Sequence, residues 1–142
     1  MIPAPDRAAA AGLPLKARLL VTALAAWSLF VWTQRIINAW TTGNEGLLAK
    51  MISTVLAIGL LVAAVAAVSE AWRRDAPRAV LLAKVLAGGT IAVWVVRAPM
   101  ILLGGWSIGF LVVHMVLAVA SIALAAVTWR AVGEGRTALD VG

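Results

Sequence analysis

Four long apolar stretches, at about 19–40, 48–72, 79–103 and 106–129, are separated by short polar or glycine-containing breaks. A hydrocarbon core about 30 Å thick is crossed by about 20 mainly apolar residues in helical form. Each stretch therefore predicts a transmembrane helix. The breaks have their own chemistry. Thr42-Gly43-Asn44-Glu45-Gly46 is a polar turn, Asp75-Ala76-Pro77-Arg78 is a charged turn containing a proline, and Gly104-Gly105 allows a tight reversal. Links this short make successive helices antiparallel neighbours. The fold class expected is all-α, a polytopic membrane protein with four transmembrane helices in an up-down-up-down bundle. Residues 1–18 form an N-terminal segment, 19–130 the membrane domain, and 131–142 a short polar tail expected to fray.

Helical spacing places small residues in stripes. The second stretch puts Ser53, Ala57, Leu60 and Ala64 on one face, and the fourth puts His114, Ala118, Ser121 and Ala125 on another. In lipid, small residues allow helices to approach closely where hydrophobic burial gives little driving force. Both stripes are expected to be packing seams. Gly59, Gly88-Gly89 and the Gly105/Gly109 pair are further candidates for close contact.

Composition sharpens the class. Hydrophobic residues are 63% of the chain and charged residues 13%, against roughly 45–50% and about 25% in soluble domains. That excludes a water-soluble globule, a disordered tail and a secreted disulfide scaffold. With no cysteine, disulfides and iron–sulfur clusters are excluded as well.

A net charge of +6 raises nucleic acid as a partner, but the cations are not clustered on a solvated face. Arg7, Lys16 and Arg18 precede the first helix, Arg73, Arg74, Arg78 and Lys84 lie around the second break, and Arg130 and Arg136 follow the last helix. Lys and Arg are retained on the cytoplasmic side. Both termini and the 73–84 region are therefore expected to be cytoplasmic, in the cell inner (plasma) membrane, with the 41–47 and 104–105 turns outside. Trp72 and Trp129 would mark the inner interface, Trp40 and Trp106 the outer. The Ala23-Leu24-Ala25 sequence resembles a signal-peptide cleavage site, but the apolar run continues past it through Val31, which favours a retained helix.

An internal repeat is legible. Ser28, Val31, Trp32 and Arg35 recur with identical spacing as Thr90, Val93, Trp94 and Arg97. A weaker match aligns Ser53–Ala57 with His114–Ala118. Both hairpins start on the same side, so the repeats would be parallel, related by an axis along the membrane normal.

The candidate chemistry lies in the polar residues inside the apolar segments. Arg35, Asn38, Ser53, Arg97 and His114 are the candidate ligand-binding residues, all in the outer half of the bilayer. Three readings compete for the arginines. Each guanidinium snorkels to headgroups, or the pair forms a cationic pocket for an anion, or a partner subunit supplies the missing carboxylates. Glu45 is the one acid on that side. A lone histidine without cysteine cannot build a tetrahedral metal site within one chain, so neither metal nor cofactor is expected. There is no phosphate-cradling glycine loop, nucleophile elbow or HExxH motif, so no catalytic activity is expected. Trp27, Trp32 and Trp94, deeper than interfacial belts, are expected to pack in the core.

The stretches Phe30-Val31-Trp32-Thr33-Gln34-Arg35-Ile36-Ile37-Asn38 and Val113–Ile122 make the chain resemble small four-helix membrane proteins of high-GC Gram-positive bacteria. The resemblance implies the fold and no established activity. Small multidrug transporters are a poor match, because their carboxylate in the first helix has no counterpart here. The resemblance to DoxX-like proteins is in size only. Two functions are expected to compete. One is a non-catalytic binding or accessory subunit whose outer cationic cluster docks an anionic lipid or an acidic partner, within a larger membrane complex or a homo-oligomer. The other is a small transporter of an anion or a lipid-linked phosphate through the repeat interface.

Overall fold

A computed structural model of the chain describes residues 12–41, 45–73 and 76–140, with side chains through Glu134. Arg7, the 42–44 part of the first turn, Arg74, Asp75 and residues 141–142 lie outside the described residues. The architecture is four helices: α1 (Leu15–Thr41), α2 (Leu47–Trp72), α3 (Ala76–Leu103) and α4 (Ile108–Asp140). All four are long and apolar enough to cross a membrane, and the chain is an all-helical, multi-pass membrane protein. Each helix packs on its neighbour in sequence, and α1 also packs on α4, which closes the ring.

The bundle is packed small-side-in. α2 buries Ser53, Ala57, Leu60, Ala64, Ala67 and Ala71, the expected stripe extended by two turns. Its larger side chains Val55, Val62 and Val65 are turned outward and exposed. On α4, Ala118, Ser121, Ala125, Thr128 and Val132 are buried. Water would drive the larger residues inward; lipid is as apolar as they are, so close backbone approach decides the packing instead.

The glycines divide. A Cβ on Gly88 would stand 3.3 Å from Trp129, and one on Gly89 would stand 3.1 Å from Leu60, so these two serve close contact. Gly59, Gly105 and Gly109 face open space, which corrects the expectation of close contact for them. Gly105 has φ +69°, the left-handed conformation that the reversal between α3 and α4 requires.

Helix ends differ from the hydropathy boundaries. α1 starts at Leu15, where Arg18 Nε donates to the Leu13 carbonyl at 2.7 Å. α4 is helical through Asp140. Pro99 lies within α3, which continues to Leu103.

Trp40, Trp72 and Trp106 are exposed near helix ends and Trp129 is exposed within α4, whereas Trp32 and Trp94 are buried. At the end of the bundle carrying the α2–α3 link, Trp72 Nε1 donates to Thr22 Oγ1 at 3.2 Å, and Lys84 stands over the Trp129 ring.

A lateral groove with a paired and an unpaired arginine

The opposite end of the bundle, where α1 meets α2 and α3 meets α4, holds a cavity of about 710 Å³. It lies between α1, α2 and α3. This falls within the roughly 300–1,000 Å³ typical of ligand pockets. Its polar lining is Arg35 from α1, Ser53 from α2, Arg97 from α3, and Glu45 from the turn before α2. The rest is apolar or aromatic, with Trp32 on one side and Trp106 on another. Ile52, Leu56, Val96 and Met100 line it while remaining exposed on the outer surface. The cavity is thus a groove whose walls run on into the lipid-facing surface.

Arg35 is held from two directions. Its Nη2 donates to both Glu45 oxygens, at 2.7 and 2.8 Å, and its Nε donates to Ser53 Oγ at 3.0 Å. The hairpin explains the arrangement. Arg35 and Ser53 are equidistant from position 44, so antiparallel helices of equal rise bring them to the same depth. Glu45 immediately precedes the Gly46 cap of α2, and from there its side chain turns back against α1. Arg35, for which snorkelling, a shared anion pocket and a partner's acid are the competing expectations, is paired with an acid of its own hairpin.

Arg97 is different. It lines the same groove, yet among the described residues it has no hydrogen bond or ion pair. It lies within electrostatic reach of both Arg35 and Glu45. Two guanidiniums and one carboxylate leave the groove with one unit of positive charge. An arginine fork at this position matches phosphate or carboxylate oxygens.

Not every candidate residue belongs to the groove. Asn38 is exposed on α1 and is not in its lining. His114 is also outside it. The His114 ring is stacked on Phe110 at 3.8 Å, which itself stacks on Trp106 at 4.7 Å, forming an aromatic column along α4. Nδ1 of His114 lies 2.8 Å from the Phe110 carbonyl. A carbonyl only accepts, so Nδ1 carries the proton and His114 is secured to its own helix. Equal depth drew both residues toward the arginines in sequence; the helix faces separate them.

Deeper in the bundle, Ser28 and Thr90 are each 1% exposed, and Trp32 and Trp94 are 3% and 4% exposed. Ser28 Oγ, Thr90 Oγ1 and Trp94 Nε1 have no hydrogen-bond partner among the described residues. Immediately below them, Val21, Leu24 and Leu86 are fully buried. On α1 and α3 the polar groups beneath the groove therefore give way to apolar side chains, with Thr128 of α4 at the same level bonded to backbone carbonyls. Trp27, also expected in the core, is partly buried and donates from Nε1 to Ser121 Oγ at 2.8 Å.

The two arginines should respond oppositely to substitution. In delipidated protein in a zwitterionic detergent, Glu45→Ala strands Arg35 and should lower stability by about 1–2 kcal/mol, the modest size reflecting partial exposure of the pair. Arg97→Leu removes an unpaired charge from an apolar wall and should leave the melting temperature unchanged or raised. A melting temperature for Arg97→Leu clearly below wild type would mean that Arg97 has a structural partner within the chain. Comparison with known proteins finds no matching family model, no similar curated protein and no similar solved structure, so the functional argument rests on the groove itself.

Proposed function

We propose that this chain is a non-catalytic membrane binding subunit whose lateral groove docks the anionic headgroup of a membrane lipid. Arg97 carries the reading: a guanidinium with no ion pair among the described residues, set in a largely apolar groove continuous with the lipid-facing surface. An unpaired charge in hydrocarbon costs several kcal/mol by most accounts, and a phosphate from the surrounding leaflet offsets that cost. The apolar walls of Ile52, Leu56, Val96 and Met100 favour an acyl chain over a hydrated free anion. An acidic protein partner is the competing occupant, and the experiment below separates the two.

A duplicated hairpin belongs to this reading, supported by the matched burial of Ser28 with Thr90 and of Trp32 with Trp94. The transport alternative gains from the unpartnered polar atoms below the groove and loses to the apolar layer of Val21, Leu24 and Leu86.

The orientation proposed follows the cation distribution, with both termini cytoplasmic and the groove in the outer leaflet of the plasma membrane. Gly46 and Ser107 are exposed near the groove, and Pro77 is exposed at the other end. Cysteines introduced at Gly46 and Ser107 should label from outside intact cells, and one at Pro77 should not. Labelling of Pro77 alone would reverse the assignment.

Purification in mild detergent followed by mass spectrometry of bound lipid and protein tests the occupant. Wild type should retain anionic lipid, excess inorganic phosphate should not displace it, and Arg97→Leu should lose it. Arg97→Lys keeps the charge and loses the planar fork, so it should retain an intermediate amount. Retention of a stoichiometric acidic protein, with no Arg97-dependent lipid, would overturn the lipid reading in favour of the partner.

A further inference from the structure

The groove contains a carboxylate where a ligand's oxygens would sit. Glu45 is not part of either helix; it occupies the turn just before α2 and reaches Arg35 through both of its oxygens. That contact reproduces within the chain what an anionic headgroup does with an arginine. The second hairpin lacks the equivalent acid. Glu45 follows Arg35 by ten residues, and at the same distance after Arg97 stands Ser107, which is uncharged. Ser107 accepts from the backbone N–H of Phe110 at 3.4 Å as the helix begins, so it serves α4.

We infer that Glu45 is a specificity-determining residue, a built-in counter-anion that holds the charge of the groove at one and so selects a phosphodiester headgroup over a phosphomonoester. This rests on the lipid reading above. A phosphodiester carries a single negative charge and matches the one uncompensated guanidinium. A phosphomonoester, with a second pKa of about 6 when free in water, carries more than one negative charge at pH 8. Its second charge meets Arg35 already paired and the Glu45 carboxylate beside it, so desolvating that charge in an apolar groove is not repaid. Ser53 contributes by holding Arg35 Nε at 3.0 Å, which keeps the guanidinium directed at Glu45 instead of at the ligand.

The test uses the full-length protein in detergent at pH 8, with native mass spectrometry reading lipid occupancy. The probes are phosphatidylglycerol as phosphodiester, phosphatidic acid as phosphomonoester and phosphatidylcholine as zwitterionic control. Wild type should prefer phosphatidylglycerol over both others. Glu45→Gln frees Arg35 and raises the charge to two, so the phosphatidic acid to phosphatidylglycerol affinity ratio should rise about tenfold or more, the scale of one charge-assisted hydrogen bond. The double variant Arg35→Gln with Glu45→Gln brings the charge back to one, and the preference for phosphatidylglycerol should return with it. The double variant also controls for any loss of fold on removing the acid, since Arg35 is not left there without its partner. If wild type binds phosphatidylglycerol over phosphatidylcholine and Glu45→Gln leaves the ratio unchanged, the role of Glu45 is wrong and the groove stands. If wild type does not distinguish anionic from zwitterionic lipid, the groove reading and this inference fall together.

Discussion

A guanidinium placed in hydrocarbon must find a counter-charge, and the architecture at one end of this bundle follows from how its two arginines meet that demand. Arg35 is satisfied locally by Glu45 and Ser53, which ties α1, the turn and the start of α2 into one unit. Arg97, on α3 across the groove, has no such partner among the described residues. Desolvation is expensive for both. The difference between them separates a structural ion pair from the position proposed to bind, although the residue type and the flanking pattern are the same.

Packing in lipid creates the space in which that difference matters. The helices are held together largely by alanine, serine and threonine seams, with many of the bulkier aliphatic side chains turned out. Small seams bring backbones close along most of the bundle, and Gly88 and Gly89 tighten α3 against its neighbours. Toward the α1–α2 turn, the long side chains of Arg35 and Arg97 and the indoles of Trp32 and Trp106 replace the small residues. Helices spaced by such side chains leave a groove between them. The fully buried Val21, Leu24 and Leu86 close it from below, giving a recess suited to holding a group.

The fold was largely legible because hydropathy length and small-residue spacing depend on local sequence. The seam Ser53, Ala57, Leu60 and Ala64 follows directly from helical period. The site was legible in part. Arg35, Ser53 and Arg97 stand out as polar residues in apolar segments, and all three line the groove. Asn38 and His114 stand out for the same reason and do not, since depth in the membrane is readable from sequence while the face presented to a neighbouring helix depends on how the bundle closes. Glu45 was visible as an acid in a loop, but its role was not, because a turn residue's direction is set by the turn's backbone. The symmetry of Arg35 and Ser53 about position 44 was the available signal that a group in that turn would lie against Arg35.

The central claim is that Arg97 meets its counter-charge in a lipid phosphate. Solid-state NMR of protein labelled with ¹⁵N at arginine guanidiniums, reconstituted in phosphatidylglycerol-containing bilayers, measures this contact through ¹⁵N–³¹P dipolar dephasing. Comparison with Arg97→Leu assigns the signal. The account predicts strong dephasing of a guanidinium resonance that disappears in Arg97→Leu, with the Arg35 resonance dephased weakly because Glu45 occupies it. Dephasing by phosphorus that is undiminished in Arg97→Leu, or absent from the wild-type Arg97 resonance, would contradict it.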